Sequence, residues 1–214
     1  MMQSRNYLLT ELFLIFVLLP VSFALDYSIW IKVGIALAGL IYIIYVLKSI
    51  ENISFRIKKP MPWKQFRKRT LPLLLVILLA TTAFVLYTEP SALFFVPRTD
   101  PLLFVTILFV YTFLSVWPQE VIYRTFFFGR YEKLFRSKSL FIFVNAILFS
   151  LAHIFFRNTL VMVLTFIGGL LFGITYFKFR STTLVSIEHA LYGNWLFTVG
   201  MGQMLAFPGM EGTA

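Results

Sequence analysis

The chain has no cysteine among its 214 residues, only two histidines, and nine acidic residues against 19 basic ones. Without cysteine it can form no disulfide, no thiolate metal site and no cysteine nucleophile. Charged residues make up 13% of the chain, where a soluble domain carries about 25%. That excludes a soluble globular domain and a charge-rich disordered chain alike. Both aspartates, Asp26 and Asp100, fall between apolar runs, so an intramembrane aspartyl dyad cannot form. The helical zinc-protease pattern His-Glu-x-x-His is absent, as is the Gly-x-Ser-x-Gly nucleophile elbow. No repeat and no low-complexity linker divides the sequence.

What the chain does have is apolar length. Hydrophobic residues make up 59% of it and the mean hydropathy is +0.85. Seven apolar runs approach the ~20 residues that a bilayer crossing needs: residues 7–25, 29–47, 71–88, 101–128, 139–156, 159–177 and 182–200. The expected fold class is all-α, a polytopic transmembrane helical bundle of about seven spans, forming one integral-membrane domain over 1–214. The run 101–128 is too long for a simple crossing. Its last turns, Phe126-Phe127-Phe128 ahead of Gly129-Arg130, are expected to bend into the interface. Gly34/Ala38 and Gly169/Gly173 put small residues on one helix face, a spacing that allows close helix approach.

The net charge of +10 reads as basic loops against anionic lipid, with no nucleic-acid partner. Lys48, Arg56, Lys58, Lys59, Lys64, Arg67, Lys68 and Arg69 lie between runs two and three, with Glu51 as the one acid. Arg130, Lys133, Arg136 and Lys138 lie between four and five, Lys178 and Arg180 between six and seven, and Arg5 precedes run one. These regions hold 15 basic residues, and the opposite side holds Lys32, Arg98 and Arg157. The asymmetry places the N-terminus in the cytoplasm. Residues 7–19 with Ser22-Phe23-Ala24 also resemble a signal peptide, although only Arg5 supplies the positive flank and another span follows at once.

Ionisable side chains inside apolar spans are costly and point to function. Here they are Glu11, Glu120, Arg124, His153, Glu188 and His189, the last including both histidines of the protein. At about 1.5 Å of rise per residue, Glu120 stands roughly 15 Å from Arg130, His189 roughly 14 Å from Arg180 and His153 roughly 20 Å from Ser139. Three helices thus bring these groups to similar depths, nearer the cytoplasmic half. Glu120 and Arg124 share a face at i, i+4; mutual neutralisation explains both, and a carboxylate so held can also act as a base. Glu188 is about 100° around the helix from His189 and is expected to point elsewhere. Glu11 is near the cytoplasmic end of its span and is expected to reach the interface. A glutamate and two histidines suit hydrolysis, with acid and histidine activating water and other groups stabilising the oxyanion. The same three residues, Glu120, His153 and His189, could hold zinc or iron. Ser150 shares a face with His153, but no third partner for a serine mechanism is visible.

Three short motifs then become specific. Trp117-Pro118-Gln119-Glu120-Val121-Ile122-Tyr123-Arg124 resembles the Glu-Glu-x-x-x-Arg motif of the CPBP family, the CAAX-protease and bacteriocin-processing (Abi-type) intramembrane proteases. Phe149-Ser150-Leu151-Ala152-His153 matches the second motif, Phe-x-x-x-His, and His189 through Asn194 resembles the third, a histidine followed by an asparagine. The resemblance covers a motif-bearing core at about 101–200. It implies a helical membrane endopeptidase with a cavity open to the cytoplasm, in which the motif glutamates and His153 activate water, Arg124 belongs to the first motif, and His189 and Asn194 form the oxyanion hole. Metal dependence stays open, with zinc possible.

Two positions depart from the pattern. Gln119 stands where the family has its first glutamate, taken there as the base, and an amide cannot accept that proton. Glu120 would have to take over, which requires some rotation of the helix. Asn194 follows His189 by five residues where the family spacing is four, which moves it around the helix. The expected function is therefore an intramembrane endopeptidase acting on a peptide or membrane-protein substrate in the bacterial inner (plasma) membrane. The alternative is a catalytically impaired scaffold or immunity protein on the same fold. A proton-coupled transporter finds no inverted repeat to support it.

Overall fold

The computed structural model describes residues 2–53 and 60–202, and every element in them is helical. Arg56, Lys58 and Lys59 of the basic region lie outside the described residues. Among the described residues six helices are long and apolar enough to cross a membrane: α1 Arg5–Phe23, α2 Ile29–Ser49, α3 Trp63–Thr88, α4 Pro101–Leu134, α5 Lys138–Phe156 and α6 Thr159–Phe179. The seventh expected run forms α7, Thr182–Val199, of 18 residues. Its polar content is higher than that of the other six because it is built for burial: Glu188, His189 and Tyr192 are among its buried residues. A helix shielded by protein can carry groups that lipid would reject.

The chain divides into two compact units, Met1–Ile57 with Gln119–Thr182, and Lys58–Pro118 with Thr183–Ala214. Each consists of two separate stretches of sequence, so neither is a contiguous piece. The first holds α1, α2, the second half of α4, α5 and α6. The second holds α3, the short helices Pro90–Ala92 and Phe95–Thr99, the first half of α4, and α7.

In the first unit α4 departs from expectation at its end. Its last turns stay helical as far as Leu134 and pack against protein. Phe126, Phe127, Phe128, Arg130 and Tyr131 are all buried. Phe16 of α1 packs edge-on against Tyr123, Phe127 and Tyr131, with centroids 5.1 to 5.8 Å away. Arg130, expected in a basic loop, is fully buried because Glu11 is buried opposite it. Its Nε donates to Glu11 Oε2 at 2.8 Å, its Nη1 to Glu51 Oε1 at 2.7 Å and its Nη2 to the Met2 carbonyl at 2.9 Å. The Tyr42 and Tyr131 hydroxyls also donate to Glu11. Glu11 is buried within the protein. It is the counter-charge that joins α1 to α4.

The α5–α6 contact follows the small-residue spacing. A Cβ on Gly169 would lie 2.9 Å from the Ala146 Cα, so only glycine lets the two backbones meet. Around Gly34, by contrast, a Cβ would meet nothing within 4 Å. On that side α1 and α2 enclose an apolar cavity of about 720 Å³, lined in part by Ala38 and Gly39 and reaching Ile122, Tyr123 and Ala152.

In the second unit Val96, Ile107 and Phe197 form a core with Leu103, Phe104 and Tyr111 packed on it. Gly200 ends α7 at φ +108°, and a Cβ there would collide with the Ala92 carbonyl. Helix α3 starts at Trp63, ahead of the apolar run at 71, because Phe66 and Thr70 are buried at i, i+4. Lys64, Arg67, Lys68 and Arg69 thus sit on helical turns.

Arg130→Ala should destabilise the protein by about 3–5 kcal/mol, since it leaves the buried Glu11 without its cation. Thermal unfolding of the detergent-solubilised protein measures this, and an unchanged midpoint would refute the role given to Arg130.

Candidate active site

Within the first unit, Glu120 ends a short α-helical stretch, Trp117–Glu120, set between π-helical turns Tyr111–Val116 and Val121–Phe126. Such wide turns concentrate at functional positions. Glu120 and Arg124 are both fully buried, with Arg124 Nε 3.4 Å from Glu120 Oε2. The i, i+4 pairing expected from their spacing is therefore present.

Arg124 is held from several sides. Its Nη1 donates to Asn145 Oδ1 at 2.9 Å and to the Tyr123 carbonyl at 3.3 Å. Its guanidinium lies over the Phe149 ring at 4.7 Å and the Phe172 ring at 5.8 Å. Asn145, fully buried on α5, donates from Nδ2 to the Tyr123 carbonyl at 2.8 Å. One amide thus accepts from the arginine and caps a backbone oxygen inside the π-helical turn. A search confined to ionisable groups passes over Asn145; the signal was an amide within the apolar run 139–156. Gln119 is half-buried beside Glu120.

His153 sits just past the regular turns of α5, which end at Leu151, at φ −101° and ψ 8°. Its Nδ1 is 2.8 Å from the Phe149 carbonyl. A carbonyl only accepts, so Nδ1 carries a proton, and in the neutral ring Nε2 holds the lone pair. The Phe149 ring stands edge-on at 5.0 Å and Phe156 stacks at 6.0 Å. Ser150 donates to the Met162 carbonyl at 2.7 Å, tying it to α6 and away from a nucleophilic role. At the rim of this unit Arg180 makes a two-pronged bond to Glu132 at 2.7 and 2.8 Å. That bond holds its guanidinium above the ordinary arginine value.

In the second unit α7 carries the remaining candidates. Glu188 points away from a shared site with His189, as the 100° offset requires, and is fully buried against α3. Arg69 Nη1 donates to Glu188 Oε1 at 2.8 Å, and the Tyr192 hydroxyl lies 3.0 Å from the same oxygen and 3.2 Å from the Thr70 carbonyl. Trp195 Nε1 donates to Thr81 Oγ1 at 2.9 Å. These bonds fix the rotation of α7 on α3. His189 is buried, 6% exposed, with the Tyr111 ring edge-on at 6.0 Å. Asn194 Nδ2 donates to Thr112 Oγ1 at 3.0 Å, on α4.

Glu120, Gln119, Arg124 and His153 thus belong to one unit, and His189 and Asn194 to the other. Among the described residues no group of three or more histidine, cysteine, aspartate or glutamate side chains is arranged to hold a metal ion. The zinc reading through Glu120, His153 and His189 finds no such cluster, and no step below passes through a metal.

Residues 101–196 match the family described as Rce1-like, type II CAAX prenyl endopeptidase. This stretch contains Gln119, Glu120, Arg124, His153, His189 and Asn194 and agrees with the resemblance to the CAAX-type intramembrane proteases drawn from the three motifs. No curated protein and no solved structure matches the chain.

Arg69→Ala should cost about 3–5 kcal/mol by leaving Glu188 as an uncompensated buried charge. The double variant Arg69→Met/Glu188→Leu should cost less than that single change. Thermal midpoints of the three proteins check this, and additive losses would refute the coupling.

Proposed function

We propose that the protein is an intramembrane endopeptidase that hydrolyses a peptide bond of a membrane-associated or peptide substrate. The observation that carries this reading is Glu120, fully buried against Arg124 between two π-helical turns of a helix that matches a CAAX endopeptidase family. A carboxylate at such a position costs several kcal/mol in desolvation unless it is paired, so packing alone gives no reason to retain it.

In the proposed reaction Glu120 takes a proton from water as the water oxygen bonds to the scissile carbonyl carbon. Arg124 fixes the carboxylate during that transfer. His153 accepts the second water proton on Nε2 and passes it to the leaving amine as the C–N bond breaks, and Glu120 releases its proton to solvent as the carboxylate product departs. The family resemblance assigns the oxyanion role to His189, which would donate a hydrogen bond to the carbonyl oxygen as that oxygen gains charge. Asn194 is the further donor that the family pattern suggests.

Among possible substrates the family description favours a prenylated C-terminal tail over a bacteriocin leader or a sorted membrane protein. The apolar cavity between α1 and α2 supports that choice, being hydrocarbon-lined and extending to the neighbours of Arg124 and His153. The alternative, an impaired scaffold or immunity protein, is favoured by one observation, the amide at Gln119 in place of the family's base.

The test is proteomics of membrane fractions from cells with the wild-type gene, a deletion, and the deletion complemented with Glu120→Gln. Peptide termini present only with wild type are expected. Glu120→Gln and His153→Ala should each lower turnover about 10²–10⁴-fold at normal membrane levels, and Gln119→Glu should not lower it. A farnesylated peptide with a CAAX tail should be cut faster than its unprenylated twin. Identical peptide profiles with the variant at normal level would refute proteolysis and leave the scaffold reading.

We also place the N-terminus in the cytoplasm of a bacterial cell, from the 15-to-3 split of basic residues. The cysteine-free chain gives a clean background for labelling. A cysteine at the exposed Lys133 should react with an impermeant reagent only after the cells are opened, and one at the exposed Arg98 should react in intact cells. The reverse pattern would overturn the orientation.

A further inference from the structure

Two arginines of the first unit grip a carboxylate with two nitrogens each. Arg180 donates to both oxygens of Glu132 at 2.7 and 2.8 Å. Arg130 does the same to Glu11, from Nε at 2.8 Å and from Nη2 at 3.1 Å. That fork is the favoured geometry of arginine on a carboxylate. Arg124, in the same unit, departs from it. Its Nε stands 3.4 Å from Glu120 Oε2, beyond the about 2.7–2.9 Å of a charge-assisted bond. Its Nη1 makes the shorter contact, 2.9 Å, and makes it to a neutral amide, Asn145 Oδ1.

The amide is itself held firmly. Asn145 is fully buried. Its Nδ2 donates at 2.8 Å to the Tyr123 carbonyl, the oxygen that also accepts from Arg124 Nη1 at 3.3 Å. Behind it α6 comes close, since a Cβ on Gly173 would lie 3.6 Å from Asn145 Oδ1. One turn further along α5, at i+4, the Phe149 ring lies 4.7 Å from the guanidinium and meets the His153 ring edge-on at 5.0 Å. Asn145 and Phe149 thus hold Arg124 from one face of α5.

We propose that Asn145 is a positioning residue of this protein: by engaging Arg124 Nη1 it keeps the guanidinium from closing as a fork on Glu120. The carboxylate is then steadied from one side and can still turn an oxygen toward water. The inference rests on the endopeptidase reading, adds a residue that the three motifs do not contain, and uses groups of the first unit alone. Asn145 acts through Arg124 and exchanges no proton.

The experiment uses the detergent-solubilised protein and a peptide that spans the Glu120-dependent cleavage site found above. Asn145→Leu keeps the volume and removes both hydrogen bonds. Asn145→Asp keeps the acceptor for Arg124 and removes the donor to the Tyr123 carbonyl. Asn145→Leu is expected to lower kcat by on the order of 100-fold, with KM within about threefold. Asn145→Asp should keep kcat within about tenfold of wild type. A residue that only braces the Tyr123 carbonyl would lose as much in Asn145→Asp as in Asn145→Leu, and that result would overturn the proposal. A second background tests the route. Lysine carries one compact charge and cannot form the fork, so adding Asn145→Leu to Arg124→Lys should lower kcat by less than about threefold. A loss as large as in the wild-type background, or wild-type kcat in Asn145→Leu alone, would overturn the proposal and leave the endopeptidase reading intact. Cleavage that persists in Glu120→Gln, or no cleavage site dependent on Glu120, would overturn that reading and this proposal with it.

Discussion

A buried charge in an apolar bundle must find its counter-charge, and this chain is organised around three arginines that do so. Arg130 is fully enclosed and joins Glu11 of α1 and Glu51 beyond α2 to the end of α4. Arg124 meets Glu120 and Asn145. Arg69 draws in Glu188. Between helices in lipid the hydrophobic effect gives little direction, because lipid tails are as apolar as leucine. Directional contacts must set which face of each helix turns inward, and the three arginines supply them. Aromatic rings pack against two of them: Phe149 and Phe172 against Arg124, and Tyr7 against Arg130.

The glycines serve the same end by a different route. Gly169 lets α5 and α6 touch backbone to backbone, which brings Asn145, one position before Ala146, into the layer that holds Arg124. Gly193 lets a tyrosine ring lie against α7. In each case a missing side chain sets where a polar group one helix away can reach. Gly34 lies beside open space, so the same sequence spacing has two structural outcomes. Only the partner helix decides between them.

Much of the fold was legible because bilayer thickness dictates length and apolar content dictates partition. The six crossing helices lie within a few residues of their expected runs, except where α3 begins early at Trp63 and α4 runs on to Leu134. Both exceptions involve arginines read as loop residues. A count of basic residues assigns Arg69 and Arg130 to loops because arginine in water is the common case. It cannot register that Glu188 and Glu11, far away in sequence, are buried and waiting for a cation. The candidate site divides in the same manner. The i, i+4 pair Glu120 and Arg124 is local and follows from helix geometry. Asn145 depends on α5 lying against α4, a long-range contact that no spacing encodes, and it was missed.

The substitution at Gln119 can be weighed in the same physical terms. For Glu120 to act where the family uses the residue before it, the helix must turn by about one residue, or 100°. A π-helical turn adds about one residue to the ordinary α-helical turn. The turn Tyr111–Val116 comes directly before Trp117–Glu120, so residues after it are rotated, relative to those before it, by an amount of the size required. A regular helix from Pro101 would carry Gln119 and Glu120 on the faces their numbers imply. The widened turn breaks that arithmetic, and a second one at Val121–Phe126 follows at once. Pairing with Arg124 holds the Glu120 carboxylate in place. Loss of the first motif glutamate is thus compatible with a working carboxylate, provided that local helix geometry, and not sequence position, determines which side chain faces the substrate.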